Sequence, residues 1–209
     1  MNYRYTSALM LPLAALLTAG CVNIGNHKPP KNLLTLTATA AAPANDKPSS
    51  QSKPLLLVAP PAVPAELKVT RIPVTTSPTT IAYLTDAVWV DSPSHLFGNV
   101  LSETIASHNR FMVVSYRSAV GVSYRLTGNL SAFGLDAVHQ QVVITYDAFF
   151  RGSNDKKMET VTSHHFEIRQ PVTKQDAVSV ANILNKAANQ LSGEVASWLD
   201  QQQVTMPAS

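Results

Sequence analysis

Tyr124-Arg-Leu-Thr-Gly-Asn-Leu-Ser-Ala132 alternates without a break. Tyr124, Leu126, Gly128, Leu130 and Ala132 point one way, and Arg125, Thr127, Asn129 and Ser131 point the other. Successive side chains on a strand leave opposite faces, so this stretch reads as a half-buried antiparallel strand. Residues 142–150 repeat the pattern, with Val142, Ile144, Tyr146, Ala148 and Phe150 on one face. The polar turn Arg151-Gly152-Ser153-Asn154-Asp155 returns the chain into a third strand over residues 158–169. The expected unit is a meander.

Working outward, residues 175–200 form the strongest helix. Thr173 with Asp176 three places on resembles a capping box, and Ala177, Val180, Leu184, Ala187, Leu191, Val195 and Trp198 mark one apolar face. Upstream, Leu55-Leu56-Leu57-Val58-Ala59 is an apolar run stopped by Pro60-Pro61, short enough for a buried strand. Residues 67–74 and 81–90 are β-like, separated by a turn around Ser77-Pro78. Ser92 can cap a helix, and Pro93 fits the first helical position because its missing N–H costs nothing there. Leu96, Phe97, Val100, Leu101 and Ile105 give that helix an apolar stripe, Asn109 is a left-handed stop, and residues 111–114 read as a short buried strand. The fold class is α+β: an antiparallel or mixed sheet with two main helices on one face.

Composition narrows the function. The chain has 209 residues, 14% charged and 45% hydrophobic, with a formal net charge of +3. That length suits one domain with a real core plus appendages. A charge of +3 without basic clustering gives no nucleic-acid footprint. The one cysteine, Cys21, excludes an intrachain disulfide framework, a CxxC redox pair and a cysteine-cluster zinc site.

The position of Cys21 is informative. Arg4 is the only charge before Lys28, and an apolar stretch follows it over residues 8–19, too short to span a membrane but right for the core of a secretory signal. Leu17-Thr18-Ala19-Gly20-Cys21 resembles the bacterial lipobox, with cleavage between Gly20 and Cys21 and acylation of Cys21. The usual leucine three places before the cysteine is replaced by Thr18, with Leu17 one further back. Such cysteines carry a thioether-linked diacylglycerol and usually an N-acyl chain, and each buried CH₂ contributes about 0.8 kcal/mol. Val22 stands where an aspartate would favour inner-membrane retention, so the resemblance implies the periplasmic face of the outer membrane. Cleavage removes Arg4 and leaves 15 basic against 13 acidic side chains. The expected organisation is a signal peptide at 1–20, a flexible tether at 21–53, a folded domain at 54–200 and a disordered tail at 201–209. Residues 37–53 hold no large apolar side chain and cannot offset the entropy of ordering; residues 32–36 are the exception, a candidate strand.

No catalytic or metal-binding set emerges. HExxH, GxSxG, P-loop and dinucleotide fingerprints are missing, so no enzyme activity and no cofactor are expected. His164 and His165 are adjacent in a strand and face opposite ways, so they cannot share an ion. His164 shares its face with Phe166 and Ile168 and reads as a partly buried core histidine, whereas His165 reads as solvent-facing. His95 and His108 sit at opposite ends of one helix. Trp198 is expected in the core. For Trp89 the favoured reading is packing under the first helix, with partner contact as the alternative.

A lipobox cysteine, a polar tether, the strand LLLVAPPAVPAEL, a strand pair reaching Trp89, a Ser-Pro-capped helix and a closing Ala-rich helix ending Ala196-Ser197-Trp198-Leu199 together resemble the ABC-type transport auxiliary lipoprotein family, of the PqiC-like (paraquat-inducible) type. The resemblance covers about residues 33–199. Family members often carry a more arginine-rich strand than residues 67–74 offer here. It implies a periplasmic, non-enzymatic accessory working with an MCE-domain protein and inner-membrane transport components to move phospholipid or another hydrophobic molecule between membranes. The tubular symmetry of such a partner suggests a homo-oligomeric ring. The alternative is an envelope assembly or scaffolding lipoprotein that binds another outer-membrane protein or the cell wall. A third, weaker reading has the domain itself bind lipid.

Overall fold

Period-two patterning and helix caps set the elements in this order: β1 (Asn32–Leu34), β2 (Leu55–Val58), a 3-10 turn (Ala65–Leu67), β3 (Pro73–Ser77), β4 (Thr80–Tyr83), β5 (Ala87–Trp89), α1 (Pro93–Ser107), β6 (Met112–Val114), β7 (Tyr124–Asp136), β8 (Gln141–Ser153), β9 (Glu159–Pro171) and α2 (Ala177–Asp200). The structure is a computed structural model that describes residues 32–40, 53–114, 122–153 and 159–204. The expected signal peptide, Gly20 and Cys21 lie outside the described residues.

The meander forms as expected. β8 pairs antiparallel with β7 on one side and with β9 on the other. The far side of β7 is shared by parallel partners: β2 beside residues 124–126, an Ala62 bridge to Asn129, and β3 beside Leu135 and Asp136. β6 pairs parallel with β2, and β4 pairs antiparallel with β3. The sheet is therefore mixed, and the fold is α+β with two helices on one face. β1 and β5 make a separate parallel ribbon.

The core lies between that face and the helices. Phe97 of α1 meets Tyr146 edge-on at 5.4 Å and Phe133 at 6.5 Å, and Trp89 meets Phe133 at 5.9 Å. A second aromatic cluster joins Phe111, Tyr124, Phe150 and Phe166 to Trp198 of α2. Aromatic pairs at these spacings contribute about 0.5–1.5 kcal/mol each beyond their buried area.

Several boundaries differ from the sequence reading, each for a physical reason. β7 bulges between Leu130 and Ala132, so Phe133 and Leu135 rather than Ala132 continue the buried face. Residues 67–74 divide into a 3-10 turn and the start of β3, and residues 81–90 divide into β4 and β5. In β6, Met112 is exposed. α2 starts later than Thr173: Asp176 is its N-cap and accepts from the Ser179 N–H at 2.9 Å. By contrast, Ser92 caps α1 with Pro93 first in the helix, and Asn109 holds φ 60° past its end.

Candidate functional site

Trp89, the candidate contact residue within the domain, is 1% exposed beneath α1. Its ring packs against Phe133 and leaves almost no surface exposed. His164 corrects the other way. It does share a face with Phe166, at 4.5 Å between ring centroids, and lies 6.0 Å from Trp198, yet it is exposed. β9 pairs only with β8 among the described strands, so its inward side chains lie at the rim of the core.

Four of the described histidines pair singly with aspartates. His95 meets Asp91 at 3.3 Å, His108 meets Asp200 at 2.6 Å, His139 meets Asp136 at 2.7 Å and His165 meets Asp147 at 2.6 Å. These pairs sit apart, and among the described residues no group of three or more potential ligands converges. Burial works against ionising Asp136, but hydrogen bonds from His139 and Gln141 outweigh it and hold the carboxyl below its usual range. The Arg169 guanidinium holds Glu167 low in the same way, at 2.7 Å. These pairs join residues within turns and across β8 and β9.

Among the described residues, two concavities stand out. One, about 240 Å³, lies where the β3–β4 hairpin meets the bulged part of β7, lined by Leu67, Pro73, Ile81, Gly134 and Val143, with Asp136 and Arg169 among its polar residues. At its edge Gly134 lets β3 approach closely, since a Cβ there would stand 2.5 Å from the Pro73 carbonyl oxygen. The other is an open groove of about 690 Å³ between α2 and β9, bordered by His108, His164, Phe166, Gly193, Glu194 and Trp198. An unpaired strand edge beside such a groove can receive an extended segment of another chain.

A third feature concerns the approach to the N-terminal anchor. Residues 32–40 fall inside the expected tether, yet they are fastened to the body. β1 pairs with β5, Leu34 and Leu36 are buried, and the Val90 N–H donates to the Leu34 carbonyl at 2.8 Å. Asn185 of α2 accepts the Thr37 N–H at 2.8 Å. Asn189 accepts the Thr39 N–H at 2.7 Å and donates to the Thr37 carbonyl at 2.9 Å. The candidate strand in the tether therefore forms, and the strap continues beyond it to Thr39. Asn185 and Asn189 were missed in the sequence. The available signal was weak: Asn185 and Asn189 stand one turn apart on one face of α2, but Asn182 and several serines share the helix. At the other end, residues 201–204, assigned to a tail, stay close to the body: Gln202 bonds Thr162 and the Trp198 carbonyl and accepts from Arg110.

The family model described as ABC-type transport auxiliary lipoprotein component matches residues 34–196. Among solved structures, protein XCC0632 from Xanthomonas campestris, of family-model DUF330, is similar at 19% identity and a TM-score of 0.66, covering 80% of this chain and 94% of that one. A second crystal structure, of an uncharacterized protein, is similar at 16% identity and a TM-score of 0.64, covering 81% and 99%. At these identities the likeness concerns the fold alone. Among curated proteins, no relative matches the chain.

Proposed function

Because the chain belongs to the ABC-type transport auxiliary lipoprotein family, we propose that it is anchored by acylated Cys21 to the periplasmic face of the outer membrane. There it serves an MCE-domain conduit and its inner-membrane ABC-type components as a non-enzymatic accessory. The transported cargo is phospholipid or another hydrophobic molecule. The family match over residues 34–196 carries this reading. The lipobox-like run ending at Cys21 adds the anchor.

Three properties of the folded part support the role. The charged pairs lack the nucleophile–base–orienter geometry of a catalytic site. The smaller cavity, about 240 Å³, is below the roughly 300–1,000 Å³ that small ligands occupy, and the groove of about 690 Å³ is open rather than enclosed. The reading assigns passage of cargo to the partner, which the domain positions. The β9 edge and the groove beside α2 offer it a docking surface with backbone groups and the rings of Phe166 and Trp198 within a largely polar lining.

Crosslinking in intact cells, followed by purification of the full lipoprotein and identification of what it carries, tests the reading. An MCE-domain protein should be the principal adduct. Adducts confined to cell wall or to an unrelated outer-membrane protein would replace transport with scaffolding.

A further inference from the structure

The strap changes the reach of the anchor. This inference rests on Cys21 being the acylated residue. Had the whole of residues 21–53 been free, the domain could stand about 110 Å from its lipid, at roughly 3.3–3.6 Å per residue. With residues 32–40 fastened down, only eleven residue steps separate Cys21 from Asn32. Those steps span at most about 40 Å. That is close to the length of α2 itself, whose 24 residues rise about 36 Å. The point where the chain enters the body therefore stays near the membrane.

That point lies at a definable end of the molecule. α1 and α2 finish together, since His108 bonds Asp200 at 2.6 Å and Arg110 donates to the Asp200 carbonyl. α2 begins beside the β7–β8 turn, where the Val172 N–H donates to the Gln140 carbonyl at 2.8 Å. Thr37 seats on Asn185 and Thr39 on Asn189, so the strap advances two residues for each turn of α2, in the same direction. Asn32 consequently lies toward the start of α2, at the end that carries the β7–β8 turn.

Five of the eight exposed large apolar side chains among the described residues lie at this end, with Met112, Phe149 and Val161 elsewhere. Leu33 is 69% exposed and Val90 is 55% exposed, on the two strands of the β1–β5 ribbon and its continuation. Val178 is exposed in the first turn of α2, and Val138 is exposed at the tip of the β7–β8 turn. Ile81 is exposed opposite Thr75, which itself pairs with Asp136 at the end of β7. Single exposed apolar residues are ordinary on a soluble surface, but their concentration where an anchored chain enters the fold is a feature of interfacial contact.

We propose that this end of the domain, with Leu33, Val90, Val138 and Val178 leading, rests on the lipid surface that holds the anchor. The opposite end, with Met112 and Val161, then points away from the membrane.

The test uses the acylated full-length chain, whose Cys21 thiol is already blocked, carrying one new cysteine: Leu33→Cys, Val138→Cys, Met112→Cys or Val161→Cys. Each is labelled with an environment-sensitive fluorophore and reconstituted into phosphatidylethanolamine–phosphatidylglycerol vesicles with or without bromolipid. Labels at 33 and 138 should lose about half their emission to the quencher, as expected for insertion of about 5–10 Å into the headgroup–acyl boundary. Labels at 112 and 161 should keep theirs. If the protein floats with the vesicles but the labels at 112 and 161 are quenched as much or more, the proposed face is wrong and the anchor stands. If the protein does not float, the anchor reading fails and the proposed face fails with it.

Discussion

Gly128 lies on β7 directly under Tyr146: a Cβ there would stand 2.4 Å from two ring carbons and 2.5 Å from the Asp147 carbonyl oxygen. The ring is fully buried and packed edge-on to Phe97, so it has nowhere to retreat. Gly128→Ala should therefore destabilise the domain by about 1–3 kcal/mol, the usual cost of overpacking, read as a lower urea midpoint. Gly193 is the internal control. It sits inside α2 with nothing within 4 Å of its would-be Cβ. Gly193→Ala should raise the midpoint, by up to about 1 kcal/mol of helix propensity. At this scale the sequence was uneven. Alternation placed Gly128 and Tyr146 on the buried face, but it cannot reveal that one covers the other. Alternation also put His164 on the core-facing side, yet says nothing of how far across a sheet a strand lies; only the position of β9 at the edge explains the exposure.

Among elements, α2 shows how a correct helix can be read with the wrong cap. Thr173 and Asp176 are both good cap residues, and Asp176 prevails because Ser179 returns its N–H and hydroxyl to the carboxylate at 2.9 and 2.7 Å. The Ser179 N–H is the main reason that the Asp176 carboxyl titrates below its usual range. A depressed folded-state pKa stabilises above the unfolded value, about 3.9, and that contribution is lost as pH falls through the folded value. Melting temperature should thus fall on acidification below about pH 4. Asp176→Asn keeps a good cap without a titrating group, so its melting temperature should fall less steeply over the same range. Some slope will remain, because Asp91, Asp136 and Glu167 are also depressed. The strap is the other element worth testing. Asn185→Ala with Asn189→Ala removes the side-chain partners of Thr37 and Thr39, and each such hydrogen bond contributes about 1 kcal/mol. Amide exchange at those two positions should accelerate about fivefold or more, while amides of β7 and β8 keep their protection. Unchanged exchange at Thr37 and Thr39 would mean that the strap is held by Leu34 and Leu36 alone.

For the whole molecule, what the sequence made visible was the class of architecture and its punctuation. The alternating segments, the Ser92-Pro93 start and the Asn109 stop all encode local geometry, and local geometry leaves a local trace. The parallel pairing of β2 with β6 and β7 leaves none, because its partners lie more than fifty residues downstream and its register depends on the assembled core. The bulge after Leu130 escaped notice because Ala132 is small enough to suit either face, and the aromatic residue that resumes the buried row, Phe133, falls one place out of phase. For the site, the proposed anchor rests on the local motif at Cys21. The shortening of its leash was not legible there, since it needs the contacts of residues 32–40 with α2. The account makes position the working property of this protein: a packed domain held close to one membrane, presenting a surface to a transport partner. Fractionation of cells producing the wild-type chain or Cys21→Ala, with the intact mass of each, tests that most directly. The wild type should sediment with the outer membrane as a chain beginning at Cys21 with diacylglyceryl and N-acyl mass, and Cys21→Ala should lose both the acyl mass and the membrane. A wild-type chain without acyl mass, distributed like the variant, would contradict the account.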